Sequence, residues 1–214
     1  MLPSIPPSRA EEHREHGLAD RDLHGGAARG GACKRRMSAR PAPPFARLFF
    51  ALWPDAATRA EWVACQQDWA WPEGAHLTPQ DQLHLTLHFL GRVPRDRLPA
   101  LQQQAQVPFK PFELCLDRAG TWPSGIAWLQ PSVLPEPLLA LHRELGTLLQ
   151  GQGFELEDRR YRPHVTLARN ARAARAPAAV AIPWRVDGYV LVESHAGTGG
   201  GYEVLCRYGE TIGA

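Results

Sequence analysis

Two short segments, Leu83 to Phe89 and Pro163 to Leu167, carry the same His-x-Thr-x string, as His84-Leu85-Thr86-Leu87 and His164-Val165-Thr166-Leu167. Around the first, Leu83, Leu85, Leu87 and Phe89 alternate with His84, Thr86 and His88. A period of two belongs to a strand whose faces differ in polarity. Leu83, Leu87 and Leu90 would also suit a helix, but Leu85 and Phe89 would then face elsewhere. The second copy follows Pro163 directly and is too short for a persuasive helix, so both copies are expected to be strands. Their polar faces then present one imidazole and one hydroxyl each.

The rest of the chain fits strands and helices around these two. Phe45 to Trp53 is an apolar run ended by Pro54-Asp55, a strand before a helix start. Asp55 to Trp69, Pro94 to Gln106 and Glu136 to Gln150 suit helices, and residues 71 to 81 and 171 to 179 suit loops. Phe112 to Arg118 and Ile126 to Gln130 suit strands, and Trp184 to Glu193 with Tyr202 to Tyr208 suit a hairpin across the Gly-rich turn Gly197 to Gly201. This order predicts an α+β fold with largely antiparallel sheets. No Gly-rich loop leads from a strand into a helix with phosphate-binding spacing, which disfavours nucleotide-cofactor folds.

Residues 1 to 44 differ from this pattern: rich in Arg, Glu, Gly, Ala and Pro, they are too poor in large apolar side chains to offset the entropy of ordering. They are expected to be a disordered extension, with Met37 an alternative start and 45–214 the folded domain. The stretch lacks the apolar run of a signal peptide, its acidic residues argue against a mitochondrial presequence, and nowhere do about 18 apolar residues follow one another. A cytoplasmic protein without membrane contact is expected, and nothing requires more than a monomer. Cys33, Cys65, Cys115 and Cys206 lack CxxC spacing, so no zinc site or disulfide framework is implied.

The formal net charge of +2 is uneven. Residues 1 to 44 hold eight of the 24 Lys/Arg and five of the 22 Asp/Glu, leaving 16 basic against 17 acidic residues in the folded part. A general polyanion-binding surface is thereby disfavoured. The basic residues nevertheless cluster at Arg159, Arg160, Arg162, Arg169, Arg172 and Arg175, either a solvated face or a phosphate contact.

The chemistry lies in the doubled motif. Strand geometry sets His84 and Thr86 about 7 Å apart on one face. If the two strands lie side by side, one cleft holds two imidazoles and two hydroxyls. Imidazoles of pKa near 6.5 can take and give protons at neutral pH, and hydroxyls can donate to phosphate oxygens where charge builds. One copy alone would mean little, since His and Thr are ordinary on a half-buried strand. A metal site is disfavoured: His84 and His88 stand about 13 Å apart on a strand, too far to share an ion, and the helical HExxH alternative has Leu85 in place of the glutamate.

The segments RLFFALWP (47 to 54), LHLTLHFLG (83 to 91), RYRPHVTLAR (160 to 169) and LVES (191 to 194) resemble the bacterial and archaeal RNA 2′,3′-cyclic phosphodiesterases, the 2′-5′ RNA ligase family of the two-histidine phosphoesterase superfamily. The resemblance implies a two-lobed fold, antiparallel sheets lining a central cleft and helices outside. It implies His84 as proton donor and His164 as proton acceptor, with Thr86 and Thr166 on the phosphate. The implied reaction opens RNA 2′,3′-cyclic phosphates, or small cyclic nucleotides, to 2′-phosphomonoesters without metal or other cofactor.

Arg160, Arg162 and Arg169 flank the second motif as candidate substrate contacts, since an Arg fork matches phosphate. Arg162 shares the face of His164, whereas unbroken alternation would put Arg169 opposite Thr166. Phe49, Trp53 or Trp122 could stack a base, with core burial the favoured role of Phe49. His88 could touch RNA or be solvated, with solvation the favoured reading. The rival readings are 2′-5′ RNA ligation or cleavage in the same cleft, and a non-catalytic module binding RNA ends or nucleotides.

Overall fold

The computed structural model describes residues 43–195 and 200–209. The expected disordered extension, apart from Pro43 and Pro44, the start at Met37, Cys33 and most of the Gly-rich turn therefore lie outside the described residues. The elements run in chain order as β1 (Phe45–Leu52), α1 (Ala56–Gln67), β2 (His76–Leu77), β3 (Leu85–Pro94), α2 (Leu98–Gln104), β4 (Phe112–Leu116), β5 (Arg118–Thr121), β6 (Ala127–Gln130), α3 (Glu136–Gly151), β7 (Val165–Arg169), β8 (Ile182–Val186), β9 (Gly188–Ser194) and β10 (Tyr202–Gly209).

Every strand pairing is antiparallel among the described residues, in the order β10-β9-β1-β3-β7-β6-β5 with β2 also on β7, and β4-β8 as a separate pair. The α+β expectation holds, and the two motif strands β3 and β7 lie side by side at the centre. They share one paired position, Leu85 opposite Val165. The run from Trp184 to Glu193, expected as one strand, is two. Asp187 separates β8, which pairs with β4, from β9, which pairs with β1 and β10. β8 buries alternate residues and β9 a continuous run from Tyr189 to Val192, so the hydrophobic string resumes directly after Asp187 and Gly188 and does not mark the change of sheet. The expected loop 71 to 81 also contains the short β2.

Asp55 starts α1 as the sequence suggests, its Oδ1 accepting from the Thr58 amide at 2.7 Å. Trp62 of α1 meets Trp184 of β8 edge to face, ring centres 5.0 Å apart. In α3, Leu138, Leu141, Leu145 and Leu149 recur at helical spacing and are buried in the main core with Leu83, Leu85, Val165 and Leu167. A second, smaller apolar cluster unites Phe49, Ala51, Val190 and Val192, with Trp53, Tyr202 and Val204 packed against it.

Each motif strand carries a β-bulge at its fourth motif residue. Ala51 pairs with Thr86 and Phe50 with His88, so Leu87 is the extra residue of β3. Likewise Trp128 pairs with Thr166 and Ala127 with Ala168, so Leu167 is the extra residue of β7. A bulge places two successive residues against one partner and shifts the alternation beyond it. The burial agrees: Leu87 and His88 are both buried and Phe89 is exposed, and Leu167 and Ala168 are both buried and Arg169 is exposed. The Leu167 carbonyl is satisfied by the Gln66 side-chain amide at 2.7 Å and the Thr78 amide at 2.8 Å.

Candidate active site

His84 and His164 each precede their strand by one residue, on the polar side of the alternation, and with Thr86 and Thr166 they line one cleft of about 1250 Å³. Arg160, Arg162, Arg169, Phe49 and Trp122 line the same cleft, whereas Trp53, the other candidate for stacking a base, is not among its lining residues. The bulge at Leu167 corrects one expectation. By shifting the alternation it sets Arg169 in the cleft, on the side of Thr166, rather than opposite to it.

The two imidazoles are oriented alike. His84 Nδ1–H donates to the Gln82 carbonyl at 2.7 Å, and His164 Nδ1–H donates to the Arg162 carbonyl at 2.9 Å. In both cases the acceptor lies two residues back on the same chain. Because a carbonyl only accepts, the neutral ring must hold its proton on Nδ1 and keep Nε2 as the basic nitrogen. Nε2 of His84 lies 3.0 Å from Thr86 Oγ1, whose hydroxyl donates to it.

Their surroundings differ. His84 sits among three rings, with centres 4.8 Å from Phe49, 5.8 Å from Trp53 in a stacked arrangement and 5.3 Å from Tyr202 edge to face. These belong to the smaller apolar cluster, so the ring is buried and its pKa falls to about 4. The Gln82 carbonyl opposes the shift, and the charges of His164, Arg169 and Arg59 add to it. His164 meets Trp122 edge to face at 4.6 Å. Burial lowers its pKa as well, with the Arg162 carbonyl opposing and Arg159 and Arg169 adding. Arg169 is thus the one arginine whose charge bears on both rings.

Phe49 is 3% exposed, its ring taken up by His84 and Tyr202, in keeping with core burial as its favoured role. Trp53 lies between the cluster and the Arg59 guanidinium, 5.5 Å from the ring centre. His88 is not solvated, the favoured expectation, but buried. Turned inward by the Leu87 bulge, it donates from Nε2 to the His142 carbonyl of α3 at 2.8 Å. Tyr202, Arg59 and Tyr161 were not singled out in the sequence, and nothing in their local pattern marks them, since each reaches the site through tertiary pairing.

Among the described residues, the one grouping of three or more His, Cys, Asp or Glu with metal-ligand spacing is Glu193, His195 and Glu203, which contains neither motif histidine. Both carboxylate oxygens of Glu193 already meet the Arg95 guanidinium. Cys65, Cys115 and Cys206 are free thiols. The cleft therefore offers two oriented imidazoles, two hydroxyls and several guanidinium groups, an equipment for proton transfer around a bound anion.

The sequence model of the 2′-5′ RNA ligase superfamily matches residues 54–198. The RNA 2′,3′-cyclic phosphodiesterase of Escherichia coli is 35% identical over 130 residues, covering 60% of this chain and 74% of that protein. The RNA 2′,3′-cyclic phosphodiesterase of Thermus thermophilus is 33% identical over 162 residues, covering 69% and 81%. The crystal structure of Escherichia coli LigT complexed with 3′-AMP superimposes with a TM-score of 0.71 at 31% identity, covering 78% of this chain and 99% of LigT.

Proposed function

The chain belongs to the 2′-5′ RNA ligase superfamily, and from that membership and the cleft we propose that it hydrolyses RNA 2′,3′-cyclic phosphodiester ends to 2′-phosphomonoesters. The observation that carries this reading is the pair of imidazoles lining one cleft, each with Nδ1–H committed to a backbone carbonyl, which leaves Nε2 as the nitrogen for proton transfer. His164 takes a proton from water as its oxygen forms the new bond to phosphorus. The phosphorus–O3′ bond breaks, and His84 delivers a proton to the departing O3′. Thr86 and Thr166 donate to the non-bridging oxygens, and Arg169, with Arg160 and Arg162 nearby, holds the anion.

Burial lowers the His84 pKa to about 4, so the ring on its own is neutral at pH 7. A donor must be an imidazolium, and the phosphate anion supplies the opposite charge that raises its pKa on binding. The relatives named RNA 2′,3′-cyclic phosphodiesterase support RNA ends as the substrate class. The LigT complex with 3′-AMP supports small nucleotides as further ligands. No helix among the described residues is long and apolar enough to cross a membrane, and we read the protein as a cytoplasmic monomer.

The test is incubation with an oligoribonucleotide ending in a 2′,3′-cyclic phosphate, in excess chelator, with the product identified by ³¹P NMR. A 2′-phosphomonoester is expected. A 3′-phosphate would reverse the leaving-group assignment, turnover lost only in chelator would restore a metal, and no turnover would leave a binding module. The superfamily description favours one second reading, formation or cleavage of 2′-5′ linkages, which the same proton carriers can serve. Joining of a 5′-hydroxyl RNA to the cyclic end distinguishes it.

A further inference from the structure

The hydrolysis reading leaves a second pair of histidines unused. His142 of α3 lies between two rings, with His88 at 4.1 Å and Tyr161 at 3.8 Å between centres, both stacked. His88 is held to the backbone of α3 by its bond to the His142 carbonyl, at a helix position where Gly146 makes room: a Cβ there would lie 3.1 Å from His88 Cε1. The Tyr161 hydroxyl donates to the Thr86 carbonyl of β3 at 3.4 Å. Both faces of His142 are covered, so this stack offers no open platform to a nucleobase.

What the stack holds is the segment from 157 to 162, which has no helix or strand of its own and carries Arg159, Arg160 and Arg162 along the cleft. Its Arg162 carbonyl is the acceptor that orients His164. Arg159 pairs, among the described residues, with Glu157 alone, within the same segment. Among the described residues, Tyr161 is the one side chain of this segment that hydrogen-bonds to another element.

We propose that Tyr161, stacked on His142, which His88 backs on its other face, is the positioning residue that fixes the arginine-bearing segment and, through the Arg162 carbonyl, the ring of His164. The peg joins the second motif's approach to the backbone of the first motif's Thr86, so the two halves of the site keep one spacing. Preorganisation of this kind matters because displacement of a reacting group by about 1 Å can cost on the order of 10²-fold in rate.

The proposal rests on the hydrolysis reading for its kinetic test but not for its spectroscopic one. In the full chain, Tyr161→Ala and His142→Ala are expected to lower kcat on a cyclic-ended oligoribonucleotide by on the order of 10²-fold. His142→Phe, which keeps the stacked ring, should lose much less than His142→Ala, and Tyr161→Phe, which keeps the ring but loses the bond to the Thr86 carbonyl, should fall between the parent and Tyr161→Ala. Independently of turnover, NMR titration of the His164 imidazole should move toward its ordinary pKa in Tyr161→Ala, as the ring loses its fixed, buried setting. A folded Tyr161→Ala protein with parental kcat and an unchanged His164 titration would overturn the proposal. If Tyr161→Ala does not fold, His142→Ala is read by the same two measurements. A parent chain without turnover would defeat the hydrolysis reading alone, and the titration would still decide the role of Tyr161.

Discussion

Leu85 and Val165 face each other across β3 and β7, and each is the residue between the histidine and the threonine of its motif. Their pairing is what makes two distant copies of a four-residue string into one site. With both apolar side chains buried in the core, the flanking His and Thr of each strand are turned to the cleft. The site is in this sense a by-product of strand register.

The two histidines are expected to be separately indispensable. His84→Ala and His164→Ala should each reduce turnover of a cyclic-ended oligoribonucleotide by about 10²–10⁴-fold, with circular dichroism unchanged. Near-parental activity in either protein would contradict paired proton transfer.

The pH dependence is set by burial. In the free protein His84 is lowered to about 4, and His164 is also lowered from its ordinary value. One ring must carry a proton while the other does not, and that combination is most populated between the two pKa values. The profile of kcat/KM, which reports free-protein groups, should therefore peak below about pH 6.5 and fall through neutrality; an optimum above pH 7 would be inconsistent. Stability runs the other way. His84, His88, His142 and His164 all have lowered pKa values when folded. Over the interval from about pH 6.5 down to about 4 the unfolded chain binds more protons, so the melting temperature should drop as pH falls through it.

Arg169 is expected to tune both rings as well as hold the anion. Arg169→Met should raise the His84 pKa, read by NMR, because a charge that lowers it is gone. The same change should lower kcat/KM by about 10- to 100-fold, the range of a charge-assisted hydrogen bond. A fall in activity with no movement of the His84 titration would leave Arg169 with the anion-holding role alone.

Gly120 in β5 should not tolerate a side chain. A Cβ there would lie 2.7 Å from Trp128 Cζ2 and 3.0 Å from Cη2, and Trp128 is the strand partner of Thr166. Gly120→Ala is expected to cost about 1–3 kcal/mol, seen as a melting temperature lower by about 2–4 °C per kcal/mol. An unchanged melting temperature would show that the indole can move aside.

Much of the site was legible because alternation is a strong signal for strand faces. His84, Thr86, His164 and Thr166 lie where a period of two puts them, and α1 begins at its Asp55 cap. The bulges at Leu87 and Leu167 were not legible, since one extra apolar residue leaves the hydrophobic string intact while exchanging the faces of the residues beyond it. That is why Arg169 was expected opposite Thr166, and why nothing in the string showed that His88 turns inward. The rings around His84 escaped for another reason: Phe49, Trp53 and Tyr202 come from β1, from just beyond its end and from β10, and only sheet order brings them together. The switch of β8 to its own pair with β4 was equally hidden, because the apolar run of β9 follows the apolar positions of β8 with only Asp187 and Gly188 between them.

The carbonyl anchoring of the two imidazoles has a wider consequence. Histidines used as bases are often backed by a carboxylate that stabilises the cation they become; here Gln82 and Arg162 offer only neutral oxygen, and the charges that bear on the two rings are positive. Among the described residues the one carboxylate lining the cleft is Glu157, and it is paired with Arg159, so the counter-ion for the donor ring is the phosphate itself. Selection can occur by formal charge ahead of shape: a neutral phosphotriester of the same outline would enter without protonating the donor, whereas a phosphodiester completes the ion pair and arms the site by arriving.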